Sequence, residues 1–219
     1  MNPLHAFLDW WVRVDDSSFS RVNELARDTG RLHGPALWFA TYGVVLFAAM
    51  LLAGYLLARR SGELTTVAAS LWAPLGVLLA VGVNQPIGSA VGEARPYDSL
   101  PHVLALVPHS ADFSFPSDHA VMAGAVAMGL VVVHRRLAVA AAVAAVLMAA
   151  TRVYVGAHFP GDVVVGLLLG AAVTFLGRLV FQPVITLLLV HLGRTRLRWL
   201  VGRAAQAPAD DRVPARSHA

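Results

Sequence analysis

The chain has no cysteine among its 219 residues. Disulfides and thiolate metal sites are thereby excluded. Charge is also scarce: 14% of the residues are charged against 57% hydrophobic, and mean hydropathy is +0.64. Soluble domains carry about a quarter charged residues, so an ordinary soluble fold is excluded and a membrane domain is expected. The first residues, MNPLHAFLDWWVRVDD, have no basic segment followed by an apolar one. No cleavable signal peptide is therefore expected. No internal repeat is evident. The formal net charge is +4, and the arginines cluster at the ends of apolar runs. That distribution fits membrane topology and argues against nucleic acid as a partner.

The apolar runs fall at 36–58, 64–91, 118–133, 137–154 and 161–181, with a further apolar stretch led by Pro183. Most approach or exceed the ~20 residues that cross a bilayer. Pro74 and Pro86 are expected to kink the second run. Upstream, Leu4, Phe7, Leu8, Trp11 and Val14 recur at helical spacing, with Asp9, Arg13 and Asp16 between them. This predicts an amphipathic helix at the membrane surface, with Trp10 and Trp11 as belt residues, and a second short helix over 20–31. The expected architecture is an all-α polytopic membrane bundle of five to six spans. Its parts are an interfacial region at 1–34, a membrane domain at 35–193 and a basic, disordered tail at 194–219.

In a five-span arrangement Arg59–Arg60, Arg135–Arg136 and the arginines of the tail fall on one side, which the positive-inside rule assigns to the cytoplasm. The 92–119 loop and the turn after Tyr154 fall on the other. Every unusual polar residue therefore converges on the extracytoplasmic face. Charges at such depth cost roughly 2.5–3.5 kcal/mol each on insertion scales, so they point to function.

Three stretches carry these residues. In TRVYVGAHFPGD, Arg152 precedes His158 by six positions and Asp162 follows it by four. A carboxylate on one imidazole nitrogen fixes the tautomer and makes the other a better base or nucleophile. In FPSDH, Ser117 is placed to cap a helix whose free N–H groups bind anions, with His119 in the first turn as a proton donor. In EARPY, Arg95 ends the second run. Taken singly, these stretches also fit a structural ion pair, an ordinary helix cap and a snorkelling arginine. Together, two guanidiniums and helix N–H groups form a phosphate cradle, and two histidines supply a nucleophile or base and an acid. His102 and His109 could suggest zinc with Asp112, but their spacing matches no ligand pattern, and no metal or other cofactor is expected.

The three stretches, in this order, resemble the lipid phosphate phosphatases, also called the type 2 phosphatidic acid phosphatase and vanadium haloperoxidase superfamily. That family carries Lys-x6-Arg-Pro, Pro-Ser-Gly-His and Ser-Arg-x5-His-x3-Asp. Here the third motif has Thr151 for serine, the second has Asp118 for glycine, and the first has Gly88 at the lysine position. The resemblance implies that His158 attacks phosphorus, Asp162 orients it, and His119 protonates the leaving oxygen. It also implies that Arg95, Arg152, Ser117 and the backbone N–H near Asp118 hold the phosphoryl oxygens. Asn84, one turn before Gly88, is expected to donate a hydrogen bond to the head group or to the groups holding it. It could instead repair backbone bonds lost at Pro86.

The expected function is hydrolysis of a lipid phosphate, foremost a polyprenyl diphosphate carrier of cell-wall synthesis, from a multi-pass plasma-membrane protein. Phosphatidic acid, phosphatidylglycerophosphate and transfer to a second alcohol are the alternatives within the class. A non-catalytic binder or transporter of anionic lipids is the rival outside it. Gly166 and Gly170 could allow close helix packing or a homodimer.

Overall fold

The structure, a computed structural model, describes residues 3–192. The arginine-rich tail expected at 194–219 lies outside the described residues. The order is α1 (Pro3–Asp28), a single 3-10 turn (Gly30–Leu32), α2 (His33–Ser61), α3 (Leu64–Val91), α4 (Pro96–Ser99), α5 (Asp118–Leu130), α6 (Arg135–Tyr154) and α7 (Pro160–Leu192). No strand occurs among the described residues.

Four of the helices, α2, α3, α6 and α7, are long and apolar enough to cross a membrane. The fifth, α5, is short. It has 13 residues, about 20 Å at 1.5 Å per residue. It can be short because it sits at the centre of the bundle, against α2, α3, α6 and α7. Five of its eight buried residues are alanine or glycine: Ala120, Ala123, Gly124, Ala125 and Gly129. Close approach of backbones replaces side-chain bulk there. A methyl group at Gly170 would run into the Val121 carbonyl oxygen, and one at Gly124 into the Leu167 carbonyl oxygen. Gly166 and Gly170 thus serve packing of α7 on α5 within one chain, not a dimer face. The outward faces are apolar. Val45, Leu52, Leu78, Val143, Leu168 and Leu187 are all exposed, as side chains that meet lipid must be.

One helix, α7, is longer than the sequence pattern predicts, and α3 keeps the expected span of 64–91. α7 runs through Pro183 to Leu192, where a break is expected. α3 likewise contains both Pro74 and Pro86. Membrane helices tolerate proline because neighbouring helices, side chains and local backbone adjustments satisfy the carbonyls it frees. At the other end, α1 is one helix rather than two. No glycine or proline interrupts it after Pro3. Its serines do not cap a new helix: Ser17 donates to the Val14 carbonyl at 3.0 Å and Ser20 to the Asp16 carbonyl at 2.8 Å. Trp11 and Val14, on the apolar face read from the sequence, are exposed. The face buried against the bundle carries Phe19, Asn23 and Ala26 instead.

Candidate active site

Residues of α2, the ends of α3 and α6, the start of α5, the 92–117 segment and the turn before α7 surround one cavity of about 610 Å³. Arg95, Asp118, His119, Arg152 and His158 line it, with Asn84, Gln85 and Gly88 on the α3 side. The antiparallel course of α6 and α7 explains the convergence. The short turn 155–159 returns the chain immediately, so Arg152 and Asp162 lie on either side of His158. Gly156, at φ +80°, permits this reversal, and a side chain there would also strike the Leu104 carbonyl.

His158 is 2% exposed. Its Nδ1 lies 2.8 Å from the Ser114 carbonyl oxygen and 3.4 Å from Asp162 Oδ2. A carbonyl can only accept, so Nδ1 carries the proton. Nε2 is then the free lone pair. It faces Arg95 Nη1 at 3.2 Å and Arg152 Nη2 at 3.4 Å. Burial lowers the imidazole's affinity for a proton, against the opposing hydrogen bond to Asp162. A neutral His158 therefore presents its unprotonated Nε2 between two guanidiniums. An anion drawn to those guanidiniums meets the lone pair.

Each supporting residue is itself held. Arg95 donates to the Ala157 carbonyl at 3.0 Å and, through Nε, to the Asp112 carbonyl at 3.1 Å. Asp162 Oδ2 accepts from the Ser114 hydroxyl at 2.5 Å and the Phe159 N–H at 2.8 Å. Ser114 is the residue that reading the sequence missed. Its carbonyl lies nearer to His158 than Asp162 does, and its hydroxyl secures Asp162. Only its place three residues before Ser117 could have flagged it.

The Pro116–His119 segment is organised differently from the sequence expectation. Ser117 occupies the N-cap position of α5, but its hydroxyl makes no capping bond. It is fully buried and its oxygen has no partner among the described residues. Arg152 Nε and Asn84 Oδ1 are likewise buried without a partner. Buried polar atoms are normally paired; Asn84 and Arg152 line the cavity while Ser117 lies behind it, so the two unpaired atoms at the cavity mark a place where a polar ligand completes the site. Asp118 neither caps α5 nor meets Arg95. Its Oδ1 accepts from Asn84 Nδ2 at 2.7 Å and Gln85 Nε2 at 3.0 Å. Asn84 Nδ2 also donates to the Pro116 carbonyl at 3.0 Å. These amides thus reach across to the second motif rather than back to the Pro86 region of their own helix. Gln85 shares this role. A Cβ at Gly88 would lie 3.2 Å from the Phe115 carbonyl oxygen, leaving little room for a lysine there. The chain contains no lysine at all.

An α-helical membrane bundle whose buried histidine faces two guanidiniums in a polar cavity defines the class of a membrane phosphohydrolase. Residues 69–185 match the PAP2 superfamily, and the chain belongs to it. It is a membrane phosphatase of that superfamily, hydrolysing phosphate or diphosphate esters. Among its relatives, the "Bacitracin transport permease protein BcrC" of Bacillus licheniformis is 28% identical over 153 residues, 70% of this chain and 73% of the relative. The "Undecaprenyl-diphosphatase BcrC" of Bacillus subtilis strain 168 is 27% identical over 159 residues, 72% of this chain and 79% of that one. The crystal structure of Aquifex aeolicus LpxE is similar with a TM-score of 0.60 and 25% identity, covering 74% of this chain and 93% of that one.

Proposed function

We propose that this phosphatase hydrolyses the diphosphate of a polyprenyl carrier lipid through a phosphohistidine, at the extracytoplasmic face of the plasma membrane. The observation that carries the chemistry is the position of His158 Nε2 between Arg95 and Arg152, with Nδ1 tied to Ser114 and Asp162. The name of the Bacillus subtilis relative supports the substrate.

In this reading the two guanidiniums hold the terminal phosphoryl group while the lipid tail stays in the bilayer. Nε2 forms a bond to the terminal phosphorus, and the bond from that phosphorus to the bridging oxygen breaks. His119 gives its proton to that oxygen, and the lipid monophosphate leaves. Water then attacks the phosphohistidine, His119 takes a proton from it, and inorganic phosphate departs with Nε2 restored. Asp162 and the Ser114 carbonyl hold the Nδ1 proton throughout, so the ring keeps one orientation as charge develops on it. Arg95, Arg152, the Ser117 hydroxyl and the backbone N–H at Asp118 stabilise the spreading negative charge. Asn84 and Gln85 act through Asp118 and Pro116, holding the segment that bears His119.

Sidedness rests on Arg59, Arg60, Arg135 and Arg136, which lie at the ends of α2 and α6 remote from the cavity. In a cysteine-free chain, a single cysteine at Ser110 should react with an impermeant reagent on intact cells. Labelling only after permeabilisation reverses the orientation.

The mechanism is tested with polyprenyl diphosphate labelled in its terminal phosphate. Rapid acid-free quenching should trap acid-labile, base-stable phosphate on the protein, and His158→Ala should abolish both the adduct and turnover. Full turnover by that variant refutes the mechanism.

A further inference from the structure

The matched family region begins at residue 69, yet the earlier helix α1 reaches the turn that carries the nucleophile. We propose that Asp15 of α1 is a positioning residue of the phosphatase reaction, holding the His158–Asp162 turn through the Gly161 amide. This rests on the reading of His158 as the reacting residue.

The Gly161 N–H donates to Asp15 Oδ1 at 2.8 Å. Gly161 is in the first turn of α7, where amides have no partner within the helix. It immediately precedes Asp162, whose Oδ2 must accept from Phe159 and Ser114 while facing His158 Nδ1. A Cβ at Gly161 would lie 2.6 Å from Asp15 Oδ2 and 3.3 Å from Trp11 Cζ2. The glycine therefore leaves the space that lets α1 come this close.

Asp15 is not an isolated contact. One turn on, Phe19 meets the Phe159 ring edge-on at 5.4 Å between centroids. Another turn on, Asn23 pairs with both backbone groups of Leu104, at 2.9 and 3.0 Å. Leu106, two residues further, donates its N–H to the Val155 carbonyl at 2.9 Å. Residues 15, 19 and 23 form one stripe of α1, so this stripe grips both flanks of the turn from 155 to 162.

The charged groups around Asp15 are all acidic: Asp16 on its own helix, Asp162 on α7, and Glu93 in the segment after α3. Burial, with Asp162 and Asp16, pushes the Asp15 carboxyl up to about 6, against the Gly161 hydrogen bond. Among the described residues no ion pair joins a cation to Asp15. What the position requires is an acceptor for the Gly161 amide, and a neutral amide oxygen meets that need as well as a carboxylate does.

The test compares Asp15→Ala and Asp15→Asn in the full-length protein in detergent. The readouts are polyprenyl diphosphate hydrolysis and hydrogen exchange over residues 155–165. Displacements of about 1 Å in a catalytic array cost up to a hundredfold. Loss of the acceptor should lower kcat about tenfold, leave KM within about twofold and speed exchange in the turn. Asp15→Asn should restore both kcat, to within about threefold, and protection. Unchanged kcat in Asp15→Ala, equal losses in both variants, or a change in KM alone overturns the proposal. Should Asp15→Ala not fold, Gly161→Ala displaces the carboxylate with α1 otherwise intact. It should show the same kcat loss, and wild-type kcat there overturns the proposal. His158→Ala is assayed in parallel. Activity retained by it sinks the reading of His158, while hydrogen exchange in the Asp15 variants still decides the contact.

Discussion

The turn that carries His158 and the helix end that carries His119 line the same cavity, yet the protein holds them differently. His158 is buried, with Ser114, Asp162, Arg95 and Arg152 all around its two ring nitrogens. His119 is only partly buried and has no hydrogen-bond partner among the described residues. The difference fits the roles proposed for them, His158 as nucleophile and His119 as acid. A nucleophile must keep one tautomer and one orientation, because the bond it forms is directional. An acid that passes a proton to a departing oxygen needs reach rather than rigidity, and its partner is the substrate.

The largest effects should separate these two roles. His158→Ala should abolish turnover of every substrate. His119→Ala should leave activity on a phosphate ester with a good leaving group while losing about 100-fold or more on a lipid substrate, since general acid catalysis contributes about 10²–10⁴-fold. Equal losses on both substrates would erase the contrast. Next is Ser114→Ala. It removes the hydroxyl on Asp162 but keeps the carbonyl on His158. A hydrogen bond to a charged group is worth about 1.5–3 kcal/mol, so kcat should fall roughly ten- to a hundredfold. An unchanged kcat would show that the carbonyl alone orients the ring.

On the acid side, Asn84→Ala releases both Asp118 and Pro116 but leaves Gln85 on Asp118. Its cost should be smaller, about tenfold in kcat for one such bond, with the adduct still trapped at His158. Equal damage to adduct formation with a good leaving group would mean that Asn84 serves the phosphate site and not the segment bearing His119.

The smallest effect concerns Glu93, whose backbone carbonyl accepts from the Ser114 N–H at 2.8 Å. Burial, then Asp162, Asp15 and Asp16, raises its carboxyl to about 7. A carboxyl raised on folding stabilises the fold at low pH, and that contribution is lost as pH rises through the folded value. Thermal stability in detergent should therefore decline between about pH 4.5 and 7, and Glu93→Gln should flatten the decline. An identical pH slope in the variant would remove Glu93 from the account.

Much of this was legible in the primary structure because its causes are local. Long uncharged runs can only be membrane helices, since each must satisfy its own backbone in lipid. The arginines that end those runs set which turns share a side. Arg152, His158 and Asp162 lie within eleven residues, so a short turn between two helices brings them together. Arg95, Ser117 and His119 follow from the same sorting of turns to one end. The resemblance to a phosphatase family rested on these spacings, and the superfamily match agrees with it.

Tertiary structure decided the rest, where the cause lies far along the chain or in the solvent. Helices continue through Pro183 and past Ser17 and Ser20 because neighbouring groups, not propensity, settle the backbone there. Asp118 is held by Asn84 and Gln85, 34 and 33 positions away. Ser114 reaches Asp162 across 48 positions, and Asp15 reaches Gly161 across 146. No spacing rule finds such pairs, because they depend on how closely helices approach. That approach is set by Gly124, Gly161 and Gly170, which act by the space they leave. A sequence displays side chains that are present; what the absence of one permits appears only when another backbone or carboxylate moves into the gap.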